Sequence, residues 1–274
     1  MIAGSQMSTG IREVKCLGSH LDLRPNEVQV WSADLDAFAS REDATGGSLS
    51  NDERDRASRF HFERDRKRFI AGRQILRLLL GAYLDLEPGN LSIRYSAHDK
   101  PELENVRMDS RLAFNVSHSG PIALFAFVRD HRVGVDVEQL RTDIAICQIA
   151  EQFFSKAEQA SLKELPKNLQ HQAFFACWTR KEAFVKAKGE GLSLPLSQFD
   201  VSLTPAKPAE ILGTRPDTEE RHRWSLWGLD VGPGHAAALA VEGVDVDLTL
   251  CFASEAQDWP SPALKRWFSD NTTN

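Results

Sequence analysis

Cysteine is scarce in this chain of 274 residues, and the four present stand far apart: Cys16, Cys147, Cys177 and Cys251, with no CxxC pair. That pattern excludes a disulfide scaffold, which short secreted domains need and a chain of this length does not. It also excludes a CxxC redox pair and the usual zinc spacings, and the eight histidines form no HExxH. No apolar run approaches the roughly 20 residues of a membrane span, and the opening MIAGSQMSTG lacks the basic start and apolar stretch of a signal peptide. Positive charge is not in excess: 33 Lys and Arg against 39 Asp and Glu give a net charge of -6, which argues against a nucleic-acid partner. The GxSxG elbow of a serine hydrolase is missing as well. The expectation is a cytoplasmic protein with reduced thiols and no membrane partner, of one or two domains.

Strand-like and helix-like stretches alternate irregularly. Val28 to Ala33 alternates apolar and polar residues as a strand does. After Gly46-Gly47-Ser48, Ser50 with Glu53 forms a capping box that opens a helical stretch from about Asn51 to Leu84, broken near Phe62 to Asp65. Pro88-Gly89-Asn90 is a turn, and Leu91 to Tyr95, Leu112 to Ser117, Ile122 to Val128 and Val133 to Val137 are strands. The last two read as a hairpin across Arg129 to Arg132. Helices follow over Ile144 to Phe154, Lys156 to Glu164 and Leu169 to Lys188, then strands at Phe199 to Leu203, Trp224 to Leu229 and Ala236 to Val241. Hairpins in place of regular crossovers favour an α+β fold. The Pro/Ser-rich tail after Asp258 carries Trp259, Trp267 and Phe268 as possible anchors.

Three short stretches carry chemistry. In Gly134-Val135-Asp136-Val137-Glu138, residues two apart on a strand share a face, so Asp136 and Glu138 point together while the valines point into the core. Paired carboxylates repel unless a cation lies between them, and magnesium is the hard cation that also bridges phosphates. The plain alternative is a solvated strand face. In Trp178-Thr179-Arg180-Lys181-Glu182-Ala183-Phe184-Val185-Lys186, Glu182 and Lys186 lie four apart on one helical face. They are either an exposed ion pair or a third carboxylate beside a phosphate-binding cation; Trp178 and Phe184 read as core. Phe114-Asn115-Val116-Ser117-His118-Ser119-Gly120 reads as a strand ending in a polar turn. That turn either binds a phosphate or satisfies its own backbone. A fourth feature is diffuse: Arg54 to Arg77 holds nine basic residues against three acidic ones, either a solvated face or an anion-binding one.

Taken in order, Lys100-Pro101, FNVSHSG, GVDVE, FFSKAE and WTRKEAFVKAKGEGLSLPL resemble the Sfp-type phosphopantetheinyl transferases, over roughly Val28 to Val241. The resemblance implies two similar α/β subdomains related by a pseudo-twofold, with the active site in the cleft between them. Residues 1–27 are then a partly disordered leader, 28–120 and 121–245 the two subdomains, and 246–274 a C-terminal extension. It implies that Asp136, Glu138 and Glu182 hold Mg2+ (or Mn2+), that Lys186 meets the pyrophosphate of coenzyme A, and that Ser117 and His118 meet the nucleotide end. Lys100 with Pro101 matches the family's GKP motif, and Arg56 and Arg68 fall where basic residues meet nucleotide phosphates. Two positions depart from the pattern: Asp99 stands where glycine is usual, and Glu53 where the best-known member carries lysine.

The reaction so implied moves the 4'-phosphopantetheine arm of coenzyme A to a serine of an apo acyl or peptidyl carrier protein, releasing adenosine 3',5'-bisphosphate. Asp136, Glu182 and Lys186 are the expected catalytic residues, with Glu182 or a metal-bound water taking the serine proton. A monomer is expected. Two other readings stay open from sequence alone: a metal-dependent nuclease or phosphodiesterase, against which the acidic net charge speaks, and a non-catalytic binder of coenzyme A or carrier.

Overall fold

The computed structural model describes residues 12–14, 21–40, 47–96, 100–104, 111–204 and 207–253. Cys16, Gly46, Asp99, Trp259, Trp267 and Phe268 lie outside the described residues.

In chain order the first half contains β1 (Arg12–Val14), β2 (Glu27–Asp34), α1 (Leu35–Ala39), α2 (Asn51–Ser58), α3 (Glu63–Leu84), β3 (Ile93–Tyr95), β4 (Pro101–Leu103), β5 (Leu112–Ser119) and β6 (Ile122–Arg129). The second contains β7 (Val133–Gln139), α4 (Ile146–Phe153), α5 (Lys156–Glu164), α6 (Lys167–Lys188), β8 (Phe199–Val201), β9 (Ile211–Thr214), β10 (Trp224–Leu229) and β11 (His235–Glu242); β12 (Asp247–Ala253) follows. Ser50 caps α2 by the expected reciprocal bonds with Glu53, and Ser155 with Glu158 caps α5 in the same way. Gly189, in the left-handed region at φ +74°, ends α6.

Both halves use one plan. A strand is followed by a long helix and then a hairpin, and the last strand of the hairpin pairs beside the first strand. The first sheet runs β1-β12-β2-β6-β5 and the second β10-β11-β7, so β2-β6-β5 and β7-β11-β10 have the same order. Alternation along each strand divides its side chains between two layers. Trp31, Phe125 and Phe127 join Ile75, Leu76 and Leu79 of α3 in one core. Ala238 and Ala240 join Phe174, Phe184 and other α6 residues in a second. Val28, Val30, Leu124 and Ala126 meet Val135, Val137, Leu239 and Val241 between the two sheets in a third. The layers are therefore helix, sheet, sheet, helix, an α+β arrangement of two similar halves.

Two expectations need correction, the hairpin and the polar turn, and two strands lie beyond the expected subdomain bounds. β6 and β7 are not a hairpin: β6 pairs with β2 and β5, and β7 pairs with β11. The short turn at Arg129–Arg132 carries the chain from one sheet to the other, and β6, buried on both faces, is a central strand of the first sheet rather than the start of the second half. Asp247–Ala253, expected within a C-terminal extension, is an inner strand, paired in parallel with β1 and β2. Arg12–Val14, expected in the leader, is an edge strand of the same sheet. Finally, Ser117 to Ser119 is not a turn: β5 runs through Ser119, and Gly120, at φ +60°, makes the bend.

Candidate active site at the seam of the two sheets

The two sheets meet where β5 runs beside β7, and the join uses side chains in place of a backbone ladder. Asn115 Oδ1, Ser117 Oγ and Ser119 Oγ, every second residue of β5, accept the backbone N–H groups of Val135, Val137 and Gln139 at 2.9, 3.3 and 3.0 Å. A constant offset of twenty residues makes the two strands parallel. The Val135 and Val137 N–H groups would otherwise be buried, unpaired donors at a sheet edge.

Behind this seam α6 lies directly on β7. A Cβ at Gly134 would stand 2.1 Å from the Ala183 carbonyl oxygen and 2.3 Å from the Ala187 nitrogen, so only glycine lets the helix backbone approach so closely. That approach puts Glu182 and Lys186 over Asp136. Lys186 Nζ donates to Asp136 Oδ1 at 2.7 Å and to Ser117 Oγ at 3.0 Å; Ser117 Oγ in turn donates to Asp136 Oδ1 at 2.9 Å. Asp136 is only 3% exposed, so the solvated-strand alternative fails. Its Oδ2 is buried with no hydrogen-bond partner.

Glu138 Oε2 accepts from Ser119 Oγ at 2.9 Å. Burial, and then the charge of Asp136, push the Glu138 carboxyl above its ordinary range; Ser119 and Lys186 oppose the rise. Burial followed by Asp136 also raises Glu182, with Lys186 opposing and Glu138 adding to it. Lys186 is thus bonded to Asp136, not paired with Glu182 as in the exposed-pair alternative. Among the described residues no three carboxylate, imidazole or thiol groups already stand together as a metal cage. The charge of Asp136 raises the proton affinity of both Glu138 and Glu182 beside an orphaned, buried oxygen. A hard divalent cation satisfies that donor set.

The other expected residues divide between this group and the α3 side of β5. Lys100 Nζ donates to the Lys186 carbonyl at 3.4 Å, and burial lowers its ammonium from the ordinary value. Pro101, buried, pairs opposite Tyr95. Ser117, expected with His118 at a nucleotide, is instead bonded within the carboxylate group. Adjacent residues of a strand point to opposite faces, so His118 faces away from Asp136. Partial burial and then Arg73, Lys186 and Arg68 hold the His118 imidazole below its ordinary value. Arg68 Nε and Nη2 bind Asp36 at 2.7 and 2.5 Å, and Arg56 stands over the Tyr95 ring at 5.0 Å.

Glu53 is no phosphate-site residue. It is buried, caps α2, and accepts from Arg77 Nε at 2.7 Å. Sequence reasoning missed Gly134 and Asn115 as site builders; both lay inside the quoted motifs, at the strand positions facing α6 and β7.

The family model described as the 4'-phosphopantetheinyl transferase superfamily matches residues 132–241, and the one described as 4'-phosphopantetheinyl transferase, N-terminal, matches 34–129. They meet at the turn where the chain changes sheets. The 4'-phosphopantetheinyl transferase HetI of a Nostoc species is 39% identical over 82% of this chain and 91% of its own length. Sfp of Bacillus subtilis, also described as a 4'-phosphopantetheinyl transferase, is 29% identical over 74% of this chain and 87% of its own. Among solved structures, the holo-[acyl-carrier-protein] synthase of Thermotoga maritima is similar over 41% of this chain and 62% of its own, at 20% identity and a TM-score of 0.33. The chain belongs to the 4'-phosphopantetheinyl transferase family and is an enzyme of that class. No described helix is long and apolar enough to cross a membrane.

Proposed function

We propose that Asp136, Glu138 and Glu182 hold Mg2+ and that this site transfers the 4'-phosphopantetheine arm of coenzyme A to a carrier-protein serine. The observation that carries the reading is the buried Asp136 Oδ2, which has no partner although two further carboxylates and Lys186 surround it. When bound, the cation would neutralise charge on the pyrophosphate as its phosphoanhydride bond breaks.

The chain's own residues do the rest. Lys186, held beside Asp136 at the seam, would present its ammonium to the developing phosphate. Lys100, beside the last turn of α6, adds a second cation at the same edge. Ser117 keeps Asp136 oriented from the β5 side. Glu182, its carboxyl raised by burial, accepts the proton of the attacking carrier serine. The serine oxygen bonds to the β-phosphorus, and adenosine 3',5'-bisphosphate leaves.

Intact-mass spectrometry of an apo carrier protein incubated with this enzyme, coenzyme A and Mg2+ tests the reading. The expected result is a gain of one phosphopantetheine arm that EDTA abolishes. No gain across a panel of acyl and peptidyl carriers, with coenzyme A shown to bind, would overturn it in favour of a binding module.

A further inference from the structure

The three seam side chains of β5 are not alike, and they differ where β7 differs. Asn115 serves the pair Gly134-Val135, Ser117 the pair Asp136-Val137 and Ser119 the pair Glu138-Gln139, each accepting the N–H group of the second residue. Where the first residue is glycine, the acceptor is an amide oxygen. Where it is a carboxylate, the acceptor is a hydroxyl. A hydroxyl that accepts an N–H group still has its own proton to give. Ser117 gives it to Asp136 Oδ1 and Ser119 gives it to Glu138 Oε2, both at 2.9 Å. The strand thus sets a donor beside each carboxylate of β7 while it closes the seam.

The two carboxylates do not depend on their serines equally. Asp136 is deeply buried, and its Oδ1 also accepts from Lys186 Nζ at 2.7 Å, so it is fixed from two sides. Glu138 is half-buried and has a longer side chain. Among the described residues, the Ser119 hydroxyl is what hydrogen-bonds it. A glutamate that is free to turn loses that freedom when it becomes a ligand, and the loss weakens binding. Ser119 removes the freedom beforehand. Its backbone is the last residue of β5, and its Oγ is anchored by the Gln139 N–H group at 3.0 Å. One oxygen of Glu138 is thereby held, and the other is left for a ligand. Hydrogen-bonded partners of ligating carboxylates orient them in this way.

We propose that Ser119 is a positioning residue for the transfer: its hydroxyl holds Glu138 ready to take the divalent cation and so sets the affinity of the site for that cation. This rests on the reading of Asp136, Glu138 and Glu182 as the metal site.

Titration of Mn2+ into the full chain, with the unbound ion followed by electron paramagnetic resonance, tests it without turnover. Ser119→Ala is expected to raise the Kd for Mn2+ about tenfold, the lower end for loss of a partner behind a ligand, because the bond is partly exposed. Ser119→Thr, which keeps the hydroxyl, should keep wild-type affinity. In a Glu138→Ala background, Ser119→Ala should change the Kd by less than about twofold, since no carboxylate remains to be held. An unchanged Kd in Ser119→Ala overturns the proposal, as does a threonine variant as weak as the alanine one. So does a loss of the same size in the Glu138→Ala background, which would mean that the serine acts through the seam alone. Should Ser119→Ala fail to fold, Ser119→Cys takes its place with the same expectation, because a thiol is a weak donor. The underlying reading fails separately: a wild type that takes up no Mn2+ sinks the metal site and this role with it. Uptake that Asp136→Asn abolishes but Ser119→Ala leaves untouched sinks Ser119 alone.

Discussion

Gly134 and Ala183 are in backbone contact: the α-carbon of the strand residue lies so close to the helix that a Cβ would stand 2.1 Å from the Ala183 carbonyl oxygen. The opposing atoms belong to helix backbone and cannot swing aside. Gly134→Ala is therefore expected to push α6 off β7, at a cost of about 3 kcal/mol, the upper end for overpacking, and to reduce transfer by parting Lys186 from Asp136. Urea unfolding and carrier modification measure the two effects. Wild-type stability in the variant would show that the helix has slack at this point.

Asp136→Asn keeps the size of the side chain and removes the charge that Lys186 and the proposed cation share. Transfer is expected to fall by at least about 100-fold, as when a preorganised electrostatic group is removed from a reacting centre, with little change in the melting temperature. Lys186→Met should lose transfer without losing Mg2+ binding. Normal turnover in Asp136→Asn would refute the assignment of the carboxylates.

The Glu53–Arg77 pair is 2% and 1% exposed in its side chains. Removing one partner strands a buried charge, so Arg77→Met is expected to destabilise the protein by about 3–5 kcal/mol. The double variant Glu53→Gln with Arg77→Met should recover much of that loss. A double-mutant cycle by denaturant unfolding reads the coupling, and additive effects would show the two residues to be independent.

Arg132 grips Glu242 with two bonds, at 2.7 and 2.8 Å, tying the end of β11 to the turn before β7. The Arg132 hydrogen bond holds the Glu242 carboxyl below its ordinary value, against a smaller opposing effect of burial. A folded-state value below the unfolded one stabilises the protein fully above the unfolded value, and that stability is lost as the pH falls through the folded one. The melting temperature of the wild type should exceed that of Glu242→Gln at pH 7, and the gap should close as the pH drops below about 4.5. A gap that stays constant with pH would mean that the pair acts through packing.

Local signals in the sequence were strong where one residue decides one thing. Ser50 with Glu53 marked the start of α2, and alternation in GVDVE put Asp136 and Glu138 on one face. What a period of two cannot state is which strand lies alongside. The turn between β6 and β7 is short enough for a hairpin, yet each strand pairs elsewhere. The same limit hid the meaning of FNVSHSG. Its polar residues at alternate positions looked like a turn because nothing in the sequence shows that three of them accept the N–H groups of β7. Burial misled in the opposite sense at Arg73, where one basic residue among the nine of Arg54 to Arg77 carried no mark of its surroundings. The expected carboxylates, Lys186 and Lys100 gather on the seam, while His118, Arg56 and Arg68 lie toward α3; distance along the chain cannot make that division.

The position of β12 has a consequence for how the chain acquires its structure. Thr249 Oγ1 donates to Glu27 Oε1 at 2.7 Å across 222 residues, and β12 separates β1 from β2 in the first sheet. The first half, although made first on the ribosome, has an open edge at β2 until the residues that follow the second half emerge. Contacts that span so much of the chain close slowly, and an unpaired strand edge in the interval invites pairing with other chains. A fragment ending at Gly243 should therefore associate rather than persist as a folded first half, however regular the repeat of strand, helix and hairpin.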